Sequence, residues 1–157
     1  LRGAEFGFQL PLELWAEGVP VVRNMGLTGN YTYVDSEVDY TFGSDIVSER
    51  LFGLSKRSYN FTVFYENEKF DARISAAYRD DYLSGTSATN NRFEGYGETL
   101  NIDASMGYKI NENIEITAEA LNLTDDYQDR WNDLETRRRY EWDHTGRVYK
   151  LGFRYRF

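Results

Sequence analysis

The chain alternates. From Tyr149 to Phe157 every second residue is apolar or aromatic: Tyr149, Leu151, Phe153, Tyr155 and Phe157. Lys150, Gly152, Arg154 and Arg156 lie between them. A repeat of two puts the first set on one face of a strand and the second on the other, whereas a helix would scatter both. Six further runs keep the same rhythm: Phe6 to Leu14, Leu27 to Tyr33, Tyr59 to Tyr65, Phe70 to Tyr78, Leu100 to Ile110 and Ile114 to Ala120. Pro11 departs from it, because proline removes a ladder donor and prefers an edge or a bulge. Seven strands of about ten residues are therefore expected. Strands in soluble proteins run about five or six, and about ten is the length of a tilted strand that crosses a bilayer.

The connections alternate in length. Glu66 to Lys69 and Asn111 to Asn113 are tight turns, and Trp15 to Asn24 is intermediate. Glu37 to Lys56, Asp80 to Gly97 and Thr124 to Thr145 are long, polar and glycine-bearing. Short turns at one end and long loops at the other mark an outer-membrane barrel. The rings are sorted too. Trp15, Tyr65, Phe70, Tyr108, Tyr155 and Phe157 fall at the short-turn end, and Tyr31, Tyr33, Tyr59, Tyr78 and Tyr149 at the long-loop end. Leu, Ile, Val, Ala and Phe fill the band between. Two aromatic girdles around an apolar band are the pattern of a lipid-facing surface.

The opposite face carries Asp71, Arg73, Arg79, Asp103, Lys109, Glu115, Glu119, Lys150, Arg154 and Arg156. So many charges cannot line a packed core without a large desolvation cost, but they can line a hydrated or plugged lumen. The net charge of −8 argues against a nucleic-acid partner. With no Cys and a single His, His144, thiolate and His-rich metal sites are excluded. No Gly-x-Ser-x-Gly or phosphate-binding loop occurs. No catalytic residue, metal ligand or cofactor is expected, and no enzyme. The acid group Asp125, Asp126, Asp129 and Asp133 could supply oxygen ligands to Ca²⁺ but lacks a calcium-loop spacing, so a solvated loop is the expected reading.

Seven is an odd count, whereas bacterial single-chain barrels are even-numbered. A free seven-stranded sheet leaves two open edges, which lipid does not tolerate. The chain is thus expected to form the C-terminal strands of a larger antiparallel transmembrane β-barrel, with the earlier strands lying outside it.

The segment Gly146-Arg147-Val148-Tyr149-Lys150-Leu151-Gly152-Phe153-Arg154-Tyr155-Arg156-Phe157 resembles the last strand of TonB-dependent outer-membrane receptors. Ala118-Glu119-Ala120-Leu121-Asn122-Leu123-Thr124-Asp125 resembles that family's penultimate strand, and Asn30 to Ser36 another of its strands. The resemblance runs from about Phe6 to Phe157. It implies an all-β barrel of about 22 strands around a plugged lumen, of which residues 1–157 supply about seven. It implies an N-terminal plug domain and a TonB-contacting segment that this chain does not contain. The implied function is TonB-energised uptake of a scarce nutrient across the Gram-negative outer membrane. The implied partners are outer-membrane lipid and lipopolysaccharide, the remaining strands and plug, TonB, the barrel-assembly machinery and a nutrient ligand. Phe153, Tyr155 and Phe157 resemble the signal that the assembly machinery reads, by strand addition to an exposed edge.

The extended last loop, with Tyr140 and Gly146-Arg147, is similar to the receptors of sugar-scavenging bacteria. An oligosaccharide ligand is therefore expected ahead of a ferric siderophore or other metal chelate. The alternative of another class is a soluble β-rich carbohydrate-binding module. The loop residues suited to a glycan are Tyr82, Asn90, Asn91, Phe93, Tyr96, Asp129, Trp131, Asn132, Tyr140 and Trp142, because rings stack on sugar faces and amides and carboxylates bond their hydroxyls. Arg137-Arg138-Arg139 could attract an anionic ligand such as a ferric siderophore or a uronic-acid polymer, but such a run is more often a solvated loop face, or pairs with lipopolysaccharide phosphates or neighbouring acids.

Overall fold

The computed structural model describes residues 1–15, 19–87 and 92–157. Thirteen strands occur among them: β1 (Arg2–Pro11), β2 (Met25–Asp35), β3 (Val38–Phe42), β4 (Asp45–Glu49), β5 (Arg57–Glu66), β6 (Phe70–Arg79), β7 (Tyr82–Gly85), β8 (Glu94–Tyr96), β9 (Thr99–Lys109), β10 (Ile114–Leu121), β11 (Gln128–Asn132), β12 (Arg138–Asp143) and β13 (Val148–Tyr155). Seven of these form one antiparallel sheet in the order β1-β2-β5-β6-β9-β10-β13. They are the seven alternating runs of the sequence, in chain order, with no crossover. Strands of 8 to 11 residues build this sheet.

The register locks the apolar phase of every strand to that of its neighbour. Phe6 faces Tyr31, Tyr31 faces Tyr59, and Tyr59 faces Tyr78. Ile74 faces Ala104, Ala104 faces Ala120, and Ala120 faces Tyr149. One face is thus continuously apolar and uncovered, with Leu151 86% and Phe153 70% exposed. Such a face is untenable in water and suits hydrocarbon. Its ends carry rings: Tyr59 stacks on Tyr78 at 4.8 Å at the long-loop end, and Tyr65 meets Phe70 at 5.9 Å at the other. The other face is polar and pairs its own charges across strands. Arg154 reaches Glu115 at 2.8 Å, and Lys150 reaches Glu119 at 3.4 Å. In each case the partners sit directly opposite in the register, where a cross-strand pair is strongest.

Two expectations at the sheet's margins are corrected. The first run does not continue to Leu14. The strand ends at Pro11, and Leu12–Trp15 form a 3₁₀ turn, because proline brings no N–H with which to extend the ladder. A single helical turn, α1 (Pro20–Arg23), then leads into β2. The last strand ends at Tyr155 rather than Phe157, although the Arg156 N–H still donates to the Asn113 carbonyl at 2.9 Å. Phe153 and Tyr155 are exposed on this edge strand, and Phe157 is exposed just beyond its end.

The long connections are not irregular loops. β3 and β4 form a hairpin closed by Gly43, whose φ of +64° belongs to the left-handed region. β12, β11, β8 and β7 form a four-stranded sheet in that order. Its rear face supplies the buried core: Leu83, Phe93 and Trp131, each at most 2% exposed. Tyr40, Phe42, Val47 and Phe52 of the first long loop close over them, with Leu134 of the last. Phe93 takes Phe42 edge-on at 5.2 Å and Tyr40 at 5.4 Å. Gly95 lies under Trp131, and a Cβ there would strike both that ring and the Tyr82 carbonyl.

Two measurements follow from this division. Ala104→Arg, on the apolar face, should lower folding stability in bilayers by about 2–4 kcal/mol. Ser105→Arg, one residue on, should cost far less, as denaturant titration in lipid would show. Trp131→Ala should cost about 3–5 kcal/mol of loop stability. It should raise hydrogen exchange in β7, β8, β11 and β12 while leaving the long sheet protected.

Candidate functional site at the polar mouth

Where the long sheet meets its loops, the polar face rises into the front face of the four-stranded sheet. The join is Arg79, the last residue of β6, on the polar phase. Its guanidinium carbon lies 3.8 Å from the centre of the Tyr82 ring. Tyr82 stacks on Tyr96 at 5.1 Å. Arg130 lies over Tyr96 at 5.1 Å and over Tyr140 at 5.7 Å. Tyr82, Tyr96, Arg130 and Glu141 are successive cross-strand partners. The register therefore sets a ladder of rings and guanidinium groups up one face, with one ring-on-ring contact, Tyr82 on Tyr96, and a cation on a ring at each of the others. Glu141 accepts from Arg130 at 2.8 Å, and this bond stabilises the Arg130 cation and raises its pKa. Burial pushes the Tyr140 hydroxyl up, helped by the charge of Glu94.

Immediately below the ladder, the polar face carries a row of neutral side chains. Asn30, Asn60 and Asn101 lie at one height, with Ala77 between the last two. The Asn60 amide donates to Asn30 at 3.2 Å. Thr62 and Ser75 share a hydrogen bond of 2.8 Å one step down.

Two aspartates tie the loops to this rim. Asp80 is 7% exposed and accepts from Arg57 Nε at 2.9 Å and from the Tyr78 hydroxyl at 3.2 Å. Burial alone would raise the Asp80 pKa, but the hydrogen bond and charge of Arg57 outweigh it and hold the carboxyl below its ordinary value. Asp81 takes Arg50 at 2.9 Å from the first long loop and Arg137 at 3.2 Å from the last. One carboxylate thus joins all three loops.

The residues expected to meet a ligand divide. Tyr82, Tyr96 and Tyr140 stand together on the ladder, with Tyr140 44% exposed. The faces of Tyr82 and Tyr96 are covered by their neighbours, which leaves their edges and hydroxyls outward. Asn132 pairs with Glu94 and Arg138 at the end of β11. Trp142 is exposed on the edge strand β12. Phe93 and Trp131 are core residues, buried behind the sheet. Asp129 is buried with its carboxylate on Arg139 at 2.8 Å. Asn90 and Asn91 lie outside the described residues.

Of the arginine run, Arg137 is paired with Asp81 and Arg139 with Asp129, while Arg138 donates to the Thr136 hydroxyl at 3.2 Å. The acid group of the last loop is dispersed as well. Asp125 pairs with His144 and Arg147, and Asp126 accepts from the Leu100 N–H. The Thr136 hydroxyl, then the Glu135 N–H, bond Asp133 and lower its pKa. No group of three or more potential metal ligands occurs among the described residues. Sequence reasoning missed Arg79 and the asparagine row as site residues. The signal was present, since counting strand pairs outward from the Glu66–Lys69 turn sets Asn60 opposite Ala77.

Asn122 explains the Asn-Leu-Thr-Asp segment. At φ +53° it ends β10 in a conformation that asparagine tolerates. Its side chain donates to the Asp126 and Gly146 carbonyls, both at 3.2 Å, and accepts from the Asp126 N–H at 2.9 Å. It therefore fixes the start of the last loop and the approach to β13 together.

Because the Asp80 carboxyl is depressed, its contribution to holding the loops is complete above the ordinary carboxylate range. It falls away as pH drops through the lowered value, below about pH 4. Protease cleavage of the loops should rise on acidification in that window, and Asp80→Asn should show the raised cleavage already at neutral pH.

The family model described as "TonB dependent receptor-like, beta-barrel" matches residues 1–123. The match spans the first six strands of the long sheet and the first two long loops; the last loop and β13 lie beyond it. No curated protein and no solved structure gives a significant match. A lipid-suited face in unbroken register, a charged opposite face and sorted loops are the physical counterpart of that match, and the chain belongs to the TonB-dependent receptor β-barrel family of outer-membrane transport proteins.

Proposed function

We propose that the receptor containing this chain takes up oligosaccharides. Family membership supports TonB-dependent transport in general, and the ligand class is our own reading. The observation that carries it is the chemistry of the mouth. Two of the three arginines of the run are paired with Asp81 and Asp129, so the loops offer single cations rather than a concentrated positive patch to an anionic metal chelate. Around them lie amides, hydroxyls and the exposed rings Tyr140 and Trp142. Polyhydroxylated ligands use such groups, with hydroxyls bonded in the plane and the ring face against an aromatic. The soluble carbohydrate-binding module is disfavoured by the uncovered apolar face and by the family match.

TonB coupling, the plug and assembly through Phe153, Tyr155 and Phe157 belong to this reading by family. Within the chain, the expected glycan contacts are Tyr82, Tyr96, Asn132, Tyr140 and Trp142 at the mouth, with Asn60 and Asn101 beneath. Isothermal titration of the detergent-solubilised receptor against glycan and ferric-siderophore panels tests the proposal. Binding of a glycan, weakened about tenfold or more by Trp142→Ala, is the expected result. Binding confined to a ferric siderophore would overturn it.

A further inference from the structure

One cavity is set apart by its charge balance. It measures about 410 Å³ on the polar face, under the first long loop, a volume within the range of small-ligand sites. Thr32, Ser58, Asn60, Thr99 and Asn101 line it with neutral donors and acceptors, and Arg79 supplies its only charged side chain.

Arg79 differs from most of the arginines of the mouth. Arg50, Arg57, Arg130, Arg137 and Arg139 each hold a carboxylate. Arg79 bonds two neutral oxygens, donating from Nε to the Ser55 hydroxyl and from Nη2 to the Gly53 carbonyl, both at 2.8 Å. Among the described residues it has no carboxylate partner, and its Nη1 donors are unspent. The Tyr82 ring covers its plane. An arginine fixed by two bonds and a stacked ring has little rotamer freedom left to lose on binding. An uncompensated guanidinium in a neutral, hydroxyl-bonding cavity is suited to a ligand with many hydroxyls and one localised negative charge.

We propose that this cavity binds an acidic sugar residue of the transported oligosaccharide, with Arg79 holding the sugar carboxylate. Asn60, Asn101 and Thr99 bond its hydroxyls. The proposal rests on the oligosaccharide reading above and narrows it to carboxylate-bearing glycans. It also moves the anion-binding role from Arg137–Arg139 to Arg79, because Arg137 and Arg139 hold carboxylates, and Arg79 is the arginine that lines the cavity.

The test is calorimetric titration of the solubilised full receptor with a panel of uronic-acid oligosaccharides. Each is paired with its carboxyl-reduced, neutral counterpart of the same length and linkage. The expected result is that an acidic member binds at least about tenfold more tightly than its neutral twin, which is one charge-assisted bond in affinity terms. Added salt should narrow the gap. Arg79→Gln should abolish the preference, read as the ratio of the two twins' affinities in the same variant, and Arg79→Lys should restore part of it. Asn60→Asp, a second and independent variant, should weaken the acidic member more than its neutral twin. Unchanged heat-modifiable migration of each variant on gels shows that it folds. Equal binding of acidic and neutral twins, or an acidic preference that survives Arg79→Gln, overturns this proposal and leaves the oligosaccharide reading standing. If no saccharide of either kind binds, both readings fall.

Discussion

In hydrocarbon, an unpaired backbone N–H or C=O costs several kcal/mol, and no water is present to relieve it. The long sheet is organised around that penalty. From Arg2 facing Asp35 to Leu121 facing Val148, its strands pair in continuous antiparallel register. Once the ladder is unbroken, a slip of one residue would turn every apolar side chain to the polar face. The pairing of Ala104 with Ala120 and Ile74, and of Tyr59 with Tyr31 and Tyr78, follows from the same demand. The backbone sets the register, the register sets the faces, and the faces place Arg79 and Asn60 on the polar side.

Above the membrane band the balance of forces changes. Water is available there, so short strands and open edges are affordable, and apolar burial becomes the organising force. The buried core of the chain accordingly lies in the loops, around Leu83, Phe93 and Trp131, while the long sheet exposes its apolar residues. The ladder from Arg79 to Tyr140 occupies the opposite face of the loop sheet. Packing behind and recognition in front are therefore two sides of one short sheet.

This division decides what the sequence could reveal. A strand of about ten residues gives five repeats of the alternation, and the runs at Leu100 to Ile110 and Phe70 to Tyr78 were legible for that reason. β8 has three residues and β7 four, too few to separate a period from chance, so their sheet was read as loop. Phe93 and Trp131 were expected to meet a ligand because an aromatic ring in a polar segment has the same signature whether it faces a sugar or a core. That Asp129 and Arg139 neutralise each other is likewise visible only in the fold. Tyr82, Tyr96 and Tyr140 stand out in the sequence as loop rings, but their stacking in one series does not. Pro11 signalled a departure whose consequence, the end of the strand, required the ladder to be seen.

The Asp81 carboxylate, shared by Arg50 and Arg137, and the core shared by Phe42, Phe93 and Trp131 bind three loops into one body. Chimeras made by exchanging a single loop with a relative would strip the other two of their packing partner and their counter-charge. Ligand preference in such a mouth is inherited as a block, and it drifts through surface positions such as Trp142 and Asn60 that no neighbouring loop needs.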